Sequence, residues 1–72
     1  MEITVNYLDN TKNIFDNITE IFKLDQGNGS KKELNHKEDL IRNNNIYQLI
    51  GKDINCTLDL ISKHASSVII EF

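Results

Sequence analysis

The chain opens and closes on the same kind of pattern. Ile3, Val5 and Tyr7 alternate with Glu2, Thr4 and Asn6, a period of two that predicts a strand with one wet face. Ser67-Val-Ile-Ile-Glu-Phe72 is the second clear strand candidate. Strands at both ends predict that the termini zip into one sheet, because a lone strand leaves its hydrogen-bonding edge unpaired. On that reading residues 1–72 form one complete domain.

The segment after the first strand has a different period. Ile14, Phe15, Ile18, Ile21 and Phe22 fall at i, i+1, i+4, i+7 and i+8, with Lys12, Asn13, Asp16, Asn17, Glu20 and Lys23 between them. This spacing predicts an amphipathic helix whose stripe packs on the sheet. Asn10 or Thr11 would cap it, after a turn at Leu8-Asp-Asn10. Gly27 and Gly29 would end it in a polar, glycine-containing loop over residues 26–31. Asn35 and Glu38 have the spacing of a capping box, which predicts a short helix from His36 to Arg42, broken by Asn43-Asn44-Asn45. Ile46–Ile50 reads as a strand by a slight margin of aromatic and β-branched content. Ile54, Leu58, Ile61 and Ala65, with Leu60 on the flank, predict a second helix capped by Asp53 or Asn55.

These elements predict an α+β domain, with the terminal strands in one sheet and two helices packed on one face. A ferredoxin-like β-α-β-β-α-β order follows if the middle supplies two strands. A β-grasp is the alternative, with Leu8-Asp-Asn10 as a hairpin turn and Thr11–Asn17 as its second strand. The opening Met-Glu-Ile-Thr-Val and the late Thr57-Leu58 loosely resemble ubiquitin-like chains, which would imply parallel first and last strands. The helical stripe at 14–22 argues against that hairpin, and no diglycine follows Phe72.

Size and composition narrow the function. A chain of 72 residues buries only about 60% of its unfolded surface, which leaves little apolar material to wall a catalytic cleft. Cys56 is the one cysteine, so no disulfide closes within the chain. With no signal-peptide pattern at its start, the sequence predicts a reducing, cytoplasmic setting. The apolar runs all fall well short of the roughly 20 residues that span a bilayer. Abundant asparagine, isoleucine and lysine, whose codons are AT-rich, point towards an AT-rich bacterium, its phages or its mobile elements.

The net charge of −3 is unevenly spread. Residues 1–25 carry Glu2, Asp9, Asp16, Glu20 and Asp25 against Lys12 and Lys23, whereas residues 31–52 are net positive. This mixed surface lacks the concentrated basic face of non-specific nucleic-acid binding. Tyr7 and Tyr47 with Lys31, Lys32, Lys37 and Arg42 would serve a base-stacking sheet, but no RNP-type motif accompanies them.

Chemistry-bearing patterns are sparse. His36, Cys56 and His64 stand at no metal-ligand spacing. Cys56 with either histidine lacks a recognisable orienting partner. Gln26–Ser30 lacks the lysine ending and strand-to-helix setting of a phosphate loop. The sequence therefore predicts a non-enzymatic protein without metal or cofactor, of the counter-defence, antitoxin or immunity kind, that covers a site on a larger protein. Nucleic-acid-binding ferredoxin-like and ubiquitin-like modules are the alternatives. The expected contact surface is Asp9, Asp16, Glu20 and Asp25, and a homodimer through a sheet edge is a further expectation.

Overall fold

The stripe at 14–22 is strand, not helix. A computed structural model of the chain describes residues 1–34 and 41–72, and the described residues are all-β. Seven strands run in chain order: β1 (Glu2–Tyr7), β2 (Lys12–Phe15), β3 (Ile18–Leu24), β4 (Lys31–Glu33), β5 (Ile46–Gly51), β6 (Asn55–Asp59) and β7 (Ala65–Glu71). They form two antiparallel sheets of order β2-β1-β7 and β4-β3-β5-β6.

This overturns the expected α+β class. With no helix among the described residues, the ferredoxin-like order has lost both of its helices. The β-grasp fails too, because β1 and β7 run antiparallel, with Ile3 opposite Ile70 and Val5 opposite Val68. The expected helix from His36 to Arg42 lies largely outside the described residues. Ile41 and Arg42 belong to no regular element. Among the described residues no helix is long and apolar enough to cross a membrane.

Two local features explain the false helical period. Asn17 takes the left-handed conformation, φ 58°, and turns the chain out of one sheet into the other between β2 and β3. An irregularity between Ile18 and Glu20 then adds an extra residue to β3, a bulge that leaves both Thr19 and Glu20 exposed. Each feature stretches the inward spacing from two residues to three. Phe15, Ile18 and Ile21 thus face inward at a near-helical interval while lying on strands.

Asparagine does similar work elsewhere. Asn10 (φ 69°) completes the β1–β2 hairpin, where Asn10 N–H donates to Tyr7 O at 3.1 Å and Tyr7 N–H to Thr11 O at 2.8 Å. Asn and Asp tolerate this region better than most residues because their short polar side chains bond locally. Asn44 (φ 68°) turns the run Asn43–Asn45 against Leu60, with Asn44 N–H to Leu60 O and Leu60 N–H to Asn45 O. The expected second helix is replaced by β6, a turn and β7. Asp59 accepts from Ile61 N–H at 2.9 Å and from Ser62 N–H at 3.0 Å, building the turn.

One core joins the sheets. Ile3, Val5 and Tyr7 of β1 meet Ile18 and Ile21 of β3, Tyr47 and Leu49 of β5, and Leu58 and Leu60. Burying each large aliphatic side chain contributes roughly 1.5–3 kcal/mol. The sheets are also laced at one seam. The Met1 amine donates to Ile18 O at 2.7 Å, and Ile18 N–H donates to Met1 O at 2.9 Å. Gly51 sits beside this seam: a Cβ there would collide with the backbone carbonyl oxygen of Asn17, so the close approach of the β2–β3 bend to β5 requires glycine.

Candidate functional site: the outward face of the terminal sheet

The hairpin and the β1–β7 pairing together compose a surface. On the outward side of β1, Thr4 lies between Ile14 of β2 and Ile69 of β7. The two isoleucines are 50% and 49% exposed, side by side across one small threonine. One row along, Glu2 stands opposite Glu71, and Asp16 follows directly after β2 on the same side as Ile14. The row at the other end is polar, with Lys12 and Ser67 flanking Asn6 and Asn6 Nδ2 donating to Ser67 Oγ at 3.1 Å.

The carboxylates interact. Glu2 is held above the usual glutamate range, first by a side-chain hydrogen bond with Asp16, then by desolvation and by the charges of Asp16 and Glu71. Like charges crowded on one face favour the protonated form of one member. Asp16 also borders a cleft of about 580 Å³ at the seam, lined further by Met1, Asn17, Lys52, Asp53 and Ile54. The surface thus offers exposed aliphatic area next to excess negative charge.

The four acidic residues expected to form the contact surface are not gathered. Asp9 sits in the β1–β2 turn, where its carboxylate accepts from Thr11 N–H and Oγ1 and pairs with Lys63 at 3.3 Å. Those bonds, led by the Thr11 hydroxyl, hold its pKa below the usual range. Lys63 also donates to Thr11 Oγ1 and lies 4.3 Å from the centre of the Tyr7 ring, so Asp9 belongs to a clamp joining two turns. Asp25 organises the β3–β4 loop, accepting from Gly27 N–H at 2.7 Å and from Asn28 N–H at 3.3 Å. That loop joins two strands of a hairpin and ends no helix. Glu20 is exposed on β3, opposite Ile50 of β5, and so belongs to the four-stranded sheet rather than the terminal one. Asp16 alone of the four lies in the acidic row.

Glu2, Glu71, Ile14 and Ile69 were missed. The signal existed: antiparallel zipping of the two terminal strands, combined with their alternation, sets Glu2 beside Glu71 and turns Thr4 and Ile69 to the same side. Ile14 was hidden because the false helix assigned it to the core.

The remaining candidates resolve simply. Tyr7 and Tyr47 are core residues, 7% and 1% exposed, so neither presents a ring for stacking. The Tyr47 hydroxyl accepts from Arg42 N–H at 3.0 Å. Cys56 is half-buried on β6 and its thiol is pushed up by burial. His64 is exposed in the turn before β7, and His36 lies outside the described residues. No group of three metal-ligating side chains gathers among the described residues.

Comparison with protein-family models, with curated proteins and with solved structures finds no match to this chain.

Proposed function

We propose that the protein is a small, non-enzymatic binding module of the inhibitor type, acting by covering a site on a larger protein. Counter-defence, antitoxin and immunity proteins encoded by phages or mobile elements act in this way. The observation that carries the reading is the row Ile14–Thr4–Ile69 beside Glu2, Asp16 and Glu71. Two half-exposed isoleucines supply area that gains by burial. Crowded carboxylates favour a partner that brings lysine or arginine, which relieves their repulsion and raises the association rate. The complementary partner surface therefore has an apolar patch bordered by basic side chains.

The test is capture from lysate of an AT-rich host with three tagged forms: wild type, Ile14→Arg with Asp16→Lys, and Thr57→Arg on the opposite sheet as control. The reading requires one stoichiometric protein bound by wild type and by Thr57→Arg, and lost with the double variant. Equal capture by all three forms, an empty bead, or nucleic acid that washes off with salt would overturn it.

A further inference from the structure

The sheet edges of this molecule are not alike. β4 carries Lys31 and Lys32, and β2 carries Lys12, the charged residues that discourage edge-to-edge pairing. β6 is five residues long and ends in Asp59. β7 has seven residues, Ala65-Ser-Ser-Val-Ile-Ile-Glu71, with Glu71 as its one charge. Among the described residues β7 pairs with β1 alone.

The hydrogen-bonding parity of that edge can be read out. Tyr7 N–H bonds to Thr11 on the β2 side. Strand alternation then turns Asn6, Thr4 and Glu2 towards β7, so Ser67, Ile69 and Glu71 direct their backbone groups at β1. Val68 and Ile70 direct theirs at the other edge, which no strand among the described residues pairs with. Ala65 shows what that edge accepts. Its N–H donates to Asn43 Oδ1 at 2.7 Å and its carbonyl accepts from Asn43 Nδ2 at 2.9 Å, so a side-chain amide stands where a neighbouring strand would. Beyond Asn43 a groove of about 280 Å³ follows the edge from Ala65 to Val68, bounded by Ile41 and Arg42.

We propose that β7 is a self-association edge, on which the β7 strands of two copies pair antiparallel about a two-fold axis at Ile69. This register sets Val68 of one copy opposite Ile70 of the other, so all four edge-facing residues exchange backbone hydrogen bonds. The two Ile69 side chains meet at the non-hydrogen-bonded position, where Cα atoms approach to about 4.5 Å. Glu71 falls opposite the Ser67 hydroxyl, and no like charges face one another. Centring on Ile70 instead would set Glu71 against Ile69. The pairing makes a six-stranded sheet and joins the two outward faces into one continuous isoleucine row. It goes beyond the binding role proposed above, because it is carried by the backbone edge of β7 and leaves Ile14 and Asp16 uncovered.

Sedimentation of the full chain from roughly 5 μM to 1 mM tests this, a range suited to a small interface. The mass should rise from the monomer's 8.3 kDa towards twice that value. Ser67→Glu places a carboxylate opposite Glu71 at two symmetric positions and should weaken association about tenfold. Adding Glu71→Lys to that variant should restore it. Hydrogen exchange of the wild type reads the same edge without mutation, and the Val68 and Ile70 amides should become protected as concentration rises. A mass fixed at the monomer value, a dimer indifferent to Ser67→Glu, no rescue by Glu71→Lys, or protection arising on β2, β4 or β6 would overturn the pairing.

Discussion

The outward faces of the two sheets are built from similar residues and end up with different character. On β4-β3-β5-β6 the outward side carries Phe22, Leu24, Ile46 and Ile50, all half-buried. Cross-strand neighbours of both charge signs and neutral amides shield them: Glu33 and Gln48 flank Phe22, and Lys31 flanks Leu24. On β2-β1-β7 Ile14 and Ile69 are about half exposed, with Glu2, Asp16 and Glu71 at one end of the face and Lys12 at the other. Phe22, Leu24, Ile46 and Ile50 lie on the two inner strands, with a neighbouring strand on each side, whereas Ile14 and Ile69 lie on the outer strands β2 and β7. Apolar area is tolerated on the first face because it is covered from within. On the second it stands open to solvent.

That contrast can be broken from inside. Leu49 is fully buried on β5, and Leu49→Ala should cost about 3–4 kcal/mol. For a domain whose total stability is on the order of 4–10 kcal/mol, urea unfolding should show most of it gone. Gly51→Ala is next. The new methyl meets Asn17 O at the seam between the sheets, and overpacking against backbone should cost about 2–3 kcal/mol, read as a lower urea midpoint. Asn43→Ala removes both bonds to the half-buried Ala65 backbone and should cost about 1–2 kcal/mol. Ile14→Thr and Ile69→Thr, by contrast, should change stability by no more than about 0.5 kcal/mol while abolishing capture of the partner. A large stability loss there would make the face part of the core and remove the contrast.

The smallest effect is in pH dependence. Glu2 has a raised pKa, so the folded state binds its proton more tightly than the unfolded chain does. Stability gained from that proton is present below the unfolded value and is lost as pH rises through the raised one. Asp9 and Asp59 are lowered by their turn hydrogen bonds. Their contribution is present above the unfolded aspartate range and is lost as pH falls through the lowered values. Thermal unfolding should therefore improve slightly from neutral pH towards the upper carboxylate range, then worsen at lower pH. Asp16→Asn should shrink the first effect, leaving what desolvation and Glu71 contribute, and should leave the second unchanged.

The terminal strands were legible because β1 alternates without a break from Glu2 to Tyr7 and because Val68-Ile69-Ile70 is an unbroken β-branched run. The middle was misread because two insertions in register, at Asn17 and at Thr19–Glu20, imitate a period of 3.6. Periodicity alone cannot separate a bulged, bent strand from a short helix. The asparagines held better information than the apolar residues did. Asn10, Asn17 and Asn44 all take positive φ; the sequence pattern reads Asn10 as a turn or cap and Asn44 as part of a helix-breaking run, but sets Asn17 in the interior of a helix. In the acidic surface, Asp16 was found because it is charged and near the first helix-like stripe. Asp9 and Asp25 were misassigned because carboxylates that build turns look the same in sequence as carboxylates that face a partner.

The proposed binding face, the β7 edge and the seam all depend on the antiparallel register of β1 with β7. Cross-strand proton contacts measured by NMR test that register directly. Short Hα–Hα contacts between Ile3 and Ile70 and between Val5 and Val68 are predicted, with strand-type couplings through Ile14–Phe15 and Ile18–Phe22. Sequential amide–amide contacts running from Ile14 to Phe22, or parallel pairing of the terminal strands, would contradict the fold and the face built on it.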